Sequence, residues 1–412
     1  MQHNLSVRPL VLAMLACAST ASQAVSFTHN DVTLDINGTV NGYYVFRNAE
    51  STNLATGAST TTKNSELTNG TLPGWINFVV TTTVNEQDIK AHISFAPGIN
   101  SNSQVIGLPI GNNAGGAGTT DPFSQIDTRN AYFQFGNNNW GTLKFGRDIG
   151  LFASNIILSD MTLIGVGGTT NAGIPYNTTF GMIGHGYMYT GFQPQITYTT
   201  PTLSGFQASA GIFQPSSFAG DQTVAPGFQA VGSYDWKASG TTGKLWVGGV
   251  SQTTSCSMNP CAVESFTASG YEIGAKVGYG NFEAVAYGFG GNGLGLSTVG
   301  AQFYNGSDGN GNKTDSVGYF LQGTYKFGAT KVGVNYGENK DKNGFVGITG
   351  GPGMQSPLNE ITNKAYTVGV YHSLNKFITL VGEYNQEKIH NVSDSNYDNN
   401  NRSLSLGGII FF

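Results

Sequence analysis

Apolar and polar residues alternate with period two along most of this chain, and that alternation limits the fold more than any other feature. Val32, Leu34, Ile36, Gly38, Val40, Gly42, Tyr44 and Phe46 share one parity, while Thr33, Asp35, Asn37, Thr39 and Asn41 share the other. Successive side chains of a strand point to opposite faces, so the stretch is a strand with one apolar and one polar side. It runs well past the roughly five or six residues usual for strands of soluble sheets. A long strand of this kind suits a bilayer crossing, with lipid on one face and water on the other. No segment beyond residue 24 has the uninterrupted apolar length of a membrane helix, so any crossing must use strands.

The pattern returns near residues 71–85, 88–97, 127–136, 140–148, 190–201, 203–214, 226–237, 242–253, 266–279, 281–290, 316–328, 330–338, 363–374, 376–386 and 402–412, which with the first makes sixteen strands. Short turns alternate with long polar segments. The turns fall at residues 85–87, 137–139, 201–202, 238–241, 280, 329 and 375, and the long segments at 47–70, 98–126, 149–189, 215–225, 254–265, 291–315, 339–362 and 387–401. Short turns on one rim and long loops on the other describe an all-β fold, a 16-stranded antiparallel transmembrane β-barrel. An even strand number puts both termini on the periplasmic rim.

The N-terminus fits export to such a membrane. Arg8 precedes an apolar run, Leu10 to Ala18, and Ser22-Gln23-Ala24 is a small-x-small cleavage site, so residues 1–24 read as a signal peptide and 25–412 as the barrel domain. Cys17 lies within the apolar run and reads as an ordinary signal-peptide residue rather than a lipidation site. Charged residues make up only 10% of the chain, too few for the surface of a soluble globule, and a net charge of -5 rules out a basic nucleic-acid footprint. Cys256 and Cys261 remain after cleavage, and an oxidising compartment favours a disulfide between them.

Little here points to catalysis. His29, His92, His185, His372 and His390 lie on separate strands and loops without metal-ligand spacing, and no nucleophile stands at a recognisable distance from a base. The run 308–312 hints at a calcium loop, but Tyr319 occupies the place of the bidentate Glu. A phosphate-loop reading around Thr242-Gly243-Lys244 fails because Ala238 and Leu245 stand where Gly and Ser or Thr are required. We therefore expect no catalytic residues, metal or cofactor, with a barrel-embedded hydrolase as the distant alternative. Strand parity aims Lys90, Lys144, Lys244, Lys276, Lys326, Lys331, Arg47, Arg129, Asp35, Glu272, Glu283 and Glu383 into the lumen, where charge avoids lipid.

Four segments carry a resemblance to the Gram-negative general porin family. The last strand places Leu404, Leu406, Gly408, Ile410 and Phe412 outward and ends on the aromatic. Residues 129–147 are similar to the family's Arg-x-Ala-Tyr strand followed by Gly-Thr-Leu-x-x-Gly-Arg, residues 196–206 to its Tyr-x-Ser-Pro hairpin, and residues 368–379 to its penultimate hairpin. The resemblance implies a water-filled channel for passive diffusion of small hydrophilic solutes, in a homotrimer set in outer-membrane lipid and lipopolysaccharide. It also implies that Leu404, Leu406, Ile410 and Phe412 are read by the barrel assembly machinery. The third long loop would fold inward and set the width, with Arg147, Arg129 and Lys144 on a basic wall facing Asp160, the only acid of residues 149–189. Ile164-Gly165-Val166-Gly167-Gly168 replaces the enterobacterial signature of that loop. An eighteen-stranded sugar channel is the alternative within channels. With acids such as Glu387, Asp394 and Asp398 expected outside, in loop 387–401, the narrow zone should be balanced or slightly basic and weakly ion-selective.

Overall fold

The computed structural model describes residues 24–99, 126–169, 178–215, 221–223, 225–256, 265–295, 313–342, 360–392 and 397–412. The signal segment up to Gln23, most of loop 98–126, Cys261, Asp394 and the run 308–312 lie outside these residues. In chain order the strands are β1 (Val25–His29), β2 (Val32–Asn53), β3 (Ser59–Thr68), β4 (Trp75–Val84), β5 (Gln87–Pro97), β6 (Ile126–Asp127), β7 (Ala131–Asn137), β8 (Gly141–Ile149), β9 (Phe192–Thr199), β10 (Phe206–Phe213), β11 (Asp221–Gln222), β12 (Gly227–Ala238), β13 (Thr241–Cys256), β14 (Ser265–Tyr279), β15 (Phe282–Asn292), β16 (Asp315–Phe327), β17 (Thr330–Lys342), β18 (Glu360–Ser373), β19 (Ile378–Val392) and β20 (Tyr397–Phe411).

Each barrel strand pairs antiparallel with the next, and β20 returns to β2, with Thr39 opposite Phe411 and Asn53 opposite Tyr397. The closed barrel has sixteen strands once β3 and β4, which pair with successive parts of the same edge of β2, are taken as one. The three extra strands are β1, β6 and β11. Sixteen strands replace the eighteen-strand alternative.

Two segments expected to be loops are largely strand. Residues 47–53 continue β2 and pair with β3, and β19 and β20 continue their ladder to Asn391 and Tyr397. These stretches are polar on both faces, so the alternation that marks the lipid belt fades while the backbone pairing continues above it.

Exposure follows parity. Leu404, Leu406 and Ile410 are 49%, 55% and 38% exposed, whereas Asn401, Ser403 and Ser405, on the opposite parity, are buried. Apolar side chains face outward and polar ones inward, as a lipid environment requires. The protein's packed interior lies inside the barrel, where loop residues Phe152, Ile156, Met182, Tyr187 and Met188 pack with Trp246, Tyr287, Phe289 and Phe320 of the wall. Burying each such side chain contributes about 1.5–3 kcal/mol. No described helix is long and apolar enough to cross a membrane.

Candidate functional site in the barrel lumen

The segment between β8 and β9 folds into the lumen. It makes one α-helical turn, α1 (Ser154–Ile157), and one 3-10 turn at Met161–Ile164, and nearly all its described residues are buried. A buried loop must find partners for its backbone N–H and C=O groups, and here the wall supplies them. Phe152 N donates to Gln229 Oε1 of β12 at 3.0 Å, and Ala153 N to Glu272 Oε2 of β14 at 3.0 Å. Gln322 of β16 accepts from Met161 N at 2.7 Å and donates to Ser159 O at 2.8 Å. Glu383 of β19 accepts from Val166 N and Gly167 N at 2.7 and 2.8 Å, while Tyr43 of β2 donates to Ile164 O at 2.7 Å. Glu387 accepts from Thr169 N at 3.1 Å. From Phe152 to Met161 the contacts step along β12, β14 and β16 in order, and residues 164–169 then reach β2 and β19, so the loop lines the wall from β12 round to β2.

Away from that run, β5 and β8 bring two lysines to one tyrosine. Lys90 Nζ lies 5.4 Å and Lys144 Nζ 4.9 Å from the centre of the Tyr132 ring, and Lys144 also pairs with the buried Asp148. His92 sits beneath, 2.9 Å from Asn77 Oδ1 and 3.3 Å from the Tyr132 hydroxyl. Lower in the lumen Lys244 pairs with Asp235 at 3.1 Å and Lys276 with Glu283 at 3.0 Å.

The expected pairing of Arg147 with Asp160 is not formed. Arg147 lies opposite Ala131 and Pro194, on the outward parity it shares with Phe145, and its Nε donates to Thr128 O at 3.0 Å. Gly146 and Asp148 take the inward parity instead. Asp160 is fully enclosed and bonded to the loop itself and to β17. It accepts from Thr162 N at 2.9 Å, Met182 N at 3.3 Å, the Tyr187 hydroxyl at 2.7 Å and Asn335 Nδ2 at 3.2 Å. Burial raises its carboxyl above the ordinary range, against the opposing effect of the Tyr187 and Thr162 donors. Arg129 and Lys144 do lie on the inner side, Arg129 buried beside Asp127.

Glu387, expected in an outside loop, is instead a buried wall residue holding the inner loop. It shares parity with Glu383, four residues earlier, so the signal was present once β19 is extended. The expected disulfide partner of Cys256, at the end of β13, lies outside the described residues.

A closed sixteen-stranded barrel with an apolar exterior, a polar lumen and a loop bonded across its interior defines an outer-membrane diffusion channel. The profile of the Gram-negative porin family matches residues 10–391, and the chain belongs to that family. Three solved structures share the fold. The outer membrane channel DcaP of Acinetobacter baumannii superposes with a TM-score of 0.63 at 15% identity, covering 94% of this chain and 100% of its own. The anion-selective porin from Comamonas acidovorans gives 0.54 at 14% identity, covering 92% and 100%. Salmonella typhi OmpF, in complex with daunomycin, gives 0.52 at 12% identity, covering 93% and 100%. Comparison with curated proteins returned no match. The protein is thus a porin of the bacterial outer membrane that passes solutes by passive diffusion.

Proposed function

We propose that this porin is a general, weakly selective passage for ions and small hydrophilic solutes, with the inner loop as its fixed constriction. The observation that carries this reading is the disposition of charge around the loop. Asp160, Glu272, Glu383 and Glu387 are buried and taken up as acceptors for backbone or side-chain donors, whereas Lys90 and Lys144 are half-buried on the lumen wall, Lys144 balanced by the buried Asp148. Acids tied up in this way cannot form a cation-attracting wall, so the narrow zone is balanced to slightly basic although the chain as a whole is acidic. Planar-bilayer reversal potentials in a KCl gradient test this, and strong cation selectivity would overturn it.

The remaining expectations belong to the same proposal. Arg129 and Lys144 stay as the basic members of the constriction. Export removes residues 1–24, which N-terminal sequencing of the mature protein reads directly. Leu404, Leu406, Ile410 and Phe412 present the assembly signal, and the outward face at Gly38, Gly42 and Gly408 forms the flat contact of a homotrimer in lipid and lipopolysaccharide. Cys256 and Cys261 pair, stabilising the local loop by no more than about 2–3 kcal/mol. The channel turns over no substrate and needs no cofactor, which lipase and protease assays on the refolded barrel examine.

A further inference from the structure

β20 and β1 share one edge of β2. The other edge is taken by β3 and β4, and along the shared one β20 covers residues 39–53 while β1 covers residues 32–36. Phe412 exchanges backbone hydrogen bonds with Gly38, and Val25 stands opposite Ile36, so only Asn37 separates the two strands along that edge. β1 reaches this place by folding back on β2 as a hairpin across Asn30 and Asp31, with His29 opposite Val32. Among the described residues it pairs with β2 alone. Its place at the foot of the barrel seam is therefore what sets this short strand apart.

The seam needs a stop because its outward side chains allow more than one register. A slip of one residue turns every side chain of β20 to the wrong face, but a slip of two keeps both parity and the hydrogen-bonding pattern. Moved two residues toward β1, Leu404, Leu406, Gly408 and Ile410 would meet Tyr44, Gly42, Val40 and Gly38, all of them apolar or glycine. Phe412 would then bond to Ile36, the place that Val25 occupies. A slip the other way strips Gly38 of its partner and is opposed by the lost hydrogen bonds. The bore depends on this register, because the inner loop is anchored on both sides of the seam. Tyr43 of β2 holds Ile164 O, while Glu383 of β19 holds Val166 N and Gly167 N. A two-residue slip displaces β2 from β19 by about 7 Å, and the loop cannot keep both anchors. We propose that β1 is an end stop that sets the closing register of the barrel and, through it, the seating of the inner loop. The device acts through the backbone of β1 and does not depend on which solutes pass.

The test uses the mature protein, with Cys256 and Cys261 replaced by Ser, refolded in detergent, and reads the seam by disulfide formation. Ala49 lies opposite Asn401, and Asn399 lies opposite Ser51. Ala49→Cys with Asn401→Cys therefore reports the native register. Ala49→Cys with Asn399→Cys reports a slip of two, since diagonal positions are too far apart to bridge. The parent should oxidise in the first pair only. With His29 and Val32 closing a two-residue turn, Phe27 and Leu34 form the next hydrogen-bonded pair, so Phe27→Pro removes a donor that holds β1 in place. It should raise oxidation of the second pair at least tenfold in heat-modifiable, folded barrels and add a conductance level above the parent's. Phe27→Ala, which keeps the donor, should behave as the parent. Removing Val25 and Ser26 lowers the stop by two positions while the rest of the hairpin stays paired, so it should give the slipped pair even if Phe27→Pro fails to fold. Folded Phe27→Pro or shortened protein that oxidises only in the native pair would overturn the proposal, as would a slipped pair in Phe27→Ala equal to that in Phe27→Pro.

Discussion

Asp160 gathers four donors from three directions, and replacing it shows what a single buried acceptor does for the loop. Asp160→Ala leaves the Tyr187 hydroxyl, two backbone N–H groups and Asn335 without their acceptor, at about 1–3 kcal/mol for each donor that finds no water. The loop should loosen, with a larger single-channel conductance and a higher size limit in liposome swelling. His185 gives the molecule a pH response. Its ring is fully buried, and Glu387 Oε1 lies 3.8 Å from its Nε2. Burial lowers its pKa below the ordinary 6.5, outweighing the attraction of Glu387. The undocked loop therefore takes up a proton near pH 6.5 that the docked loop refuses. Docking is at full strength above that value and weakens on acidification toward the lowered pKa, by at most about 1.4 kcal/mol per pH unit. His185→Gln should flatten the acid side of the thermal stability profile between pH 6.5 and 5, and an unchanged slope would show that another group controls it.

At the scale of elements, the inner loop and β17 approach so closely that a side chain cannot fit between them. A Cβ added at Gly337 would stand 1.9 Å from His185 O. Gly337→Val should push the returning arm of the loop off the wall without breaking the barrel, since valine suits a strand. Conductance should rise while heat-modifiable migration in gels persists. The C-terminal element yields a different prediction. Phe412 exchanges backbone hydrogen bonds with Gly38 at 2.8 and 3.0 Å, closing the barrel seam. Deleting Phe412 should lower the membrane-inserted fraction in cells severalfold, with a smaller effect on refolding in detergent, if the residue is also an assembly signal. Strands were legible because lipid enforces alternation on every crossing. The ends of β2, β3, β19 and β20 were not, because above the lipid both faces meet polar surroundings. Loop anchoring was harder still. Nothing in the local sequence of Asp160 shows that its partners are Tyr187 and Asn335, and the neighbouring Gly-Arg motif drew Arg147 into a pairing that its own parity forbids.

For the whole molecule, burial and polarity are inverted relative to a water-soluble protein. Ser403, Ser405, Asn385, Thr367 and Glu383 are buried, while Val40, Leu67, Ile273 and Leu321 are exposed. Such an exterior must be covered by lipid or by another copy of the chain. We expect a trimer by native mass spectrometry in mild detergent, and a monomer there would remove the trimer from the proposal. The fold class was readable because this inversion repeats with every strand, while the bore was not, because it depends on contacts between residues far apart in sequence.

The inner loop's partners also impose an order on assembly. Val166 waits for Glu383 and Thr169 for Glu387, each more than two hundred residues later in the chain. A nascent barrel can therefore anchor the first part of the loop on β12, β14 and β16 but lacks the acceptors for Val166 and Thr169 until β19 is in place. The final seating of the loop thus belongs to the closing steps of assembly, when the strands that complete the barrel also complete its interior.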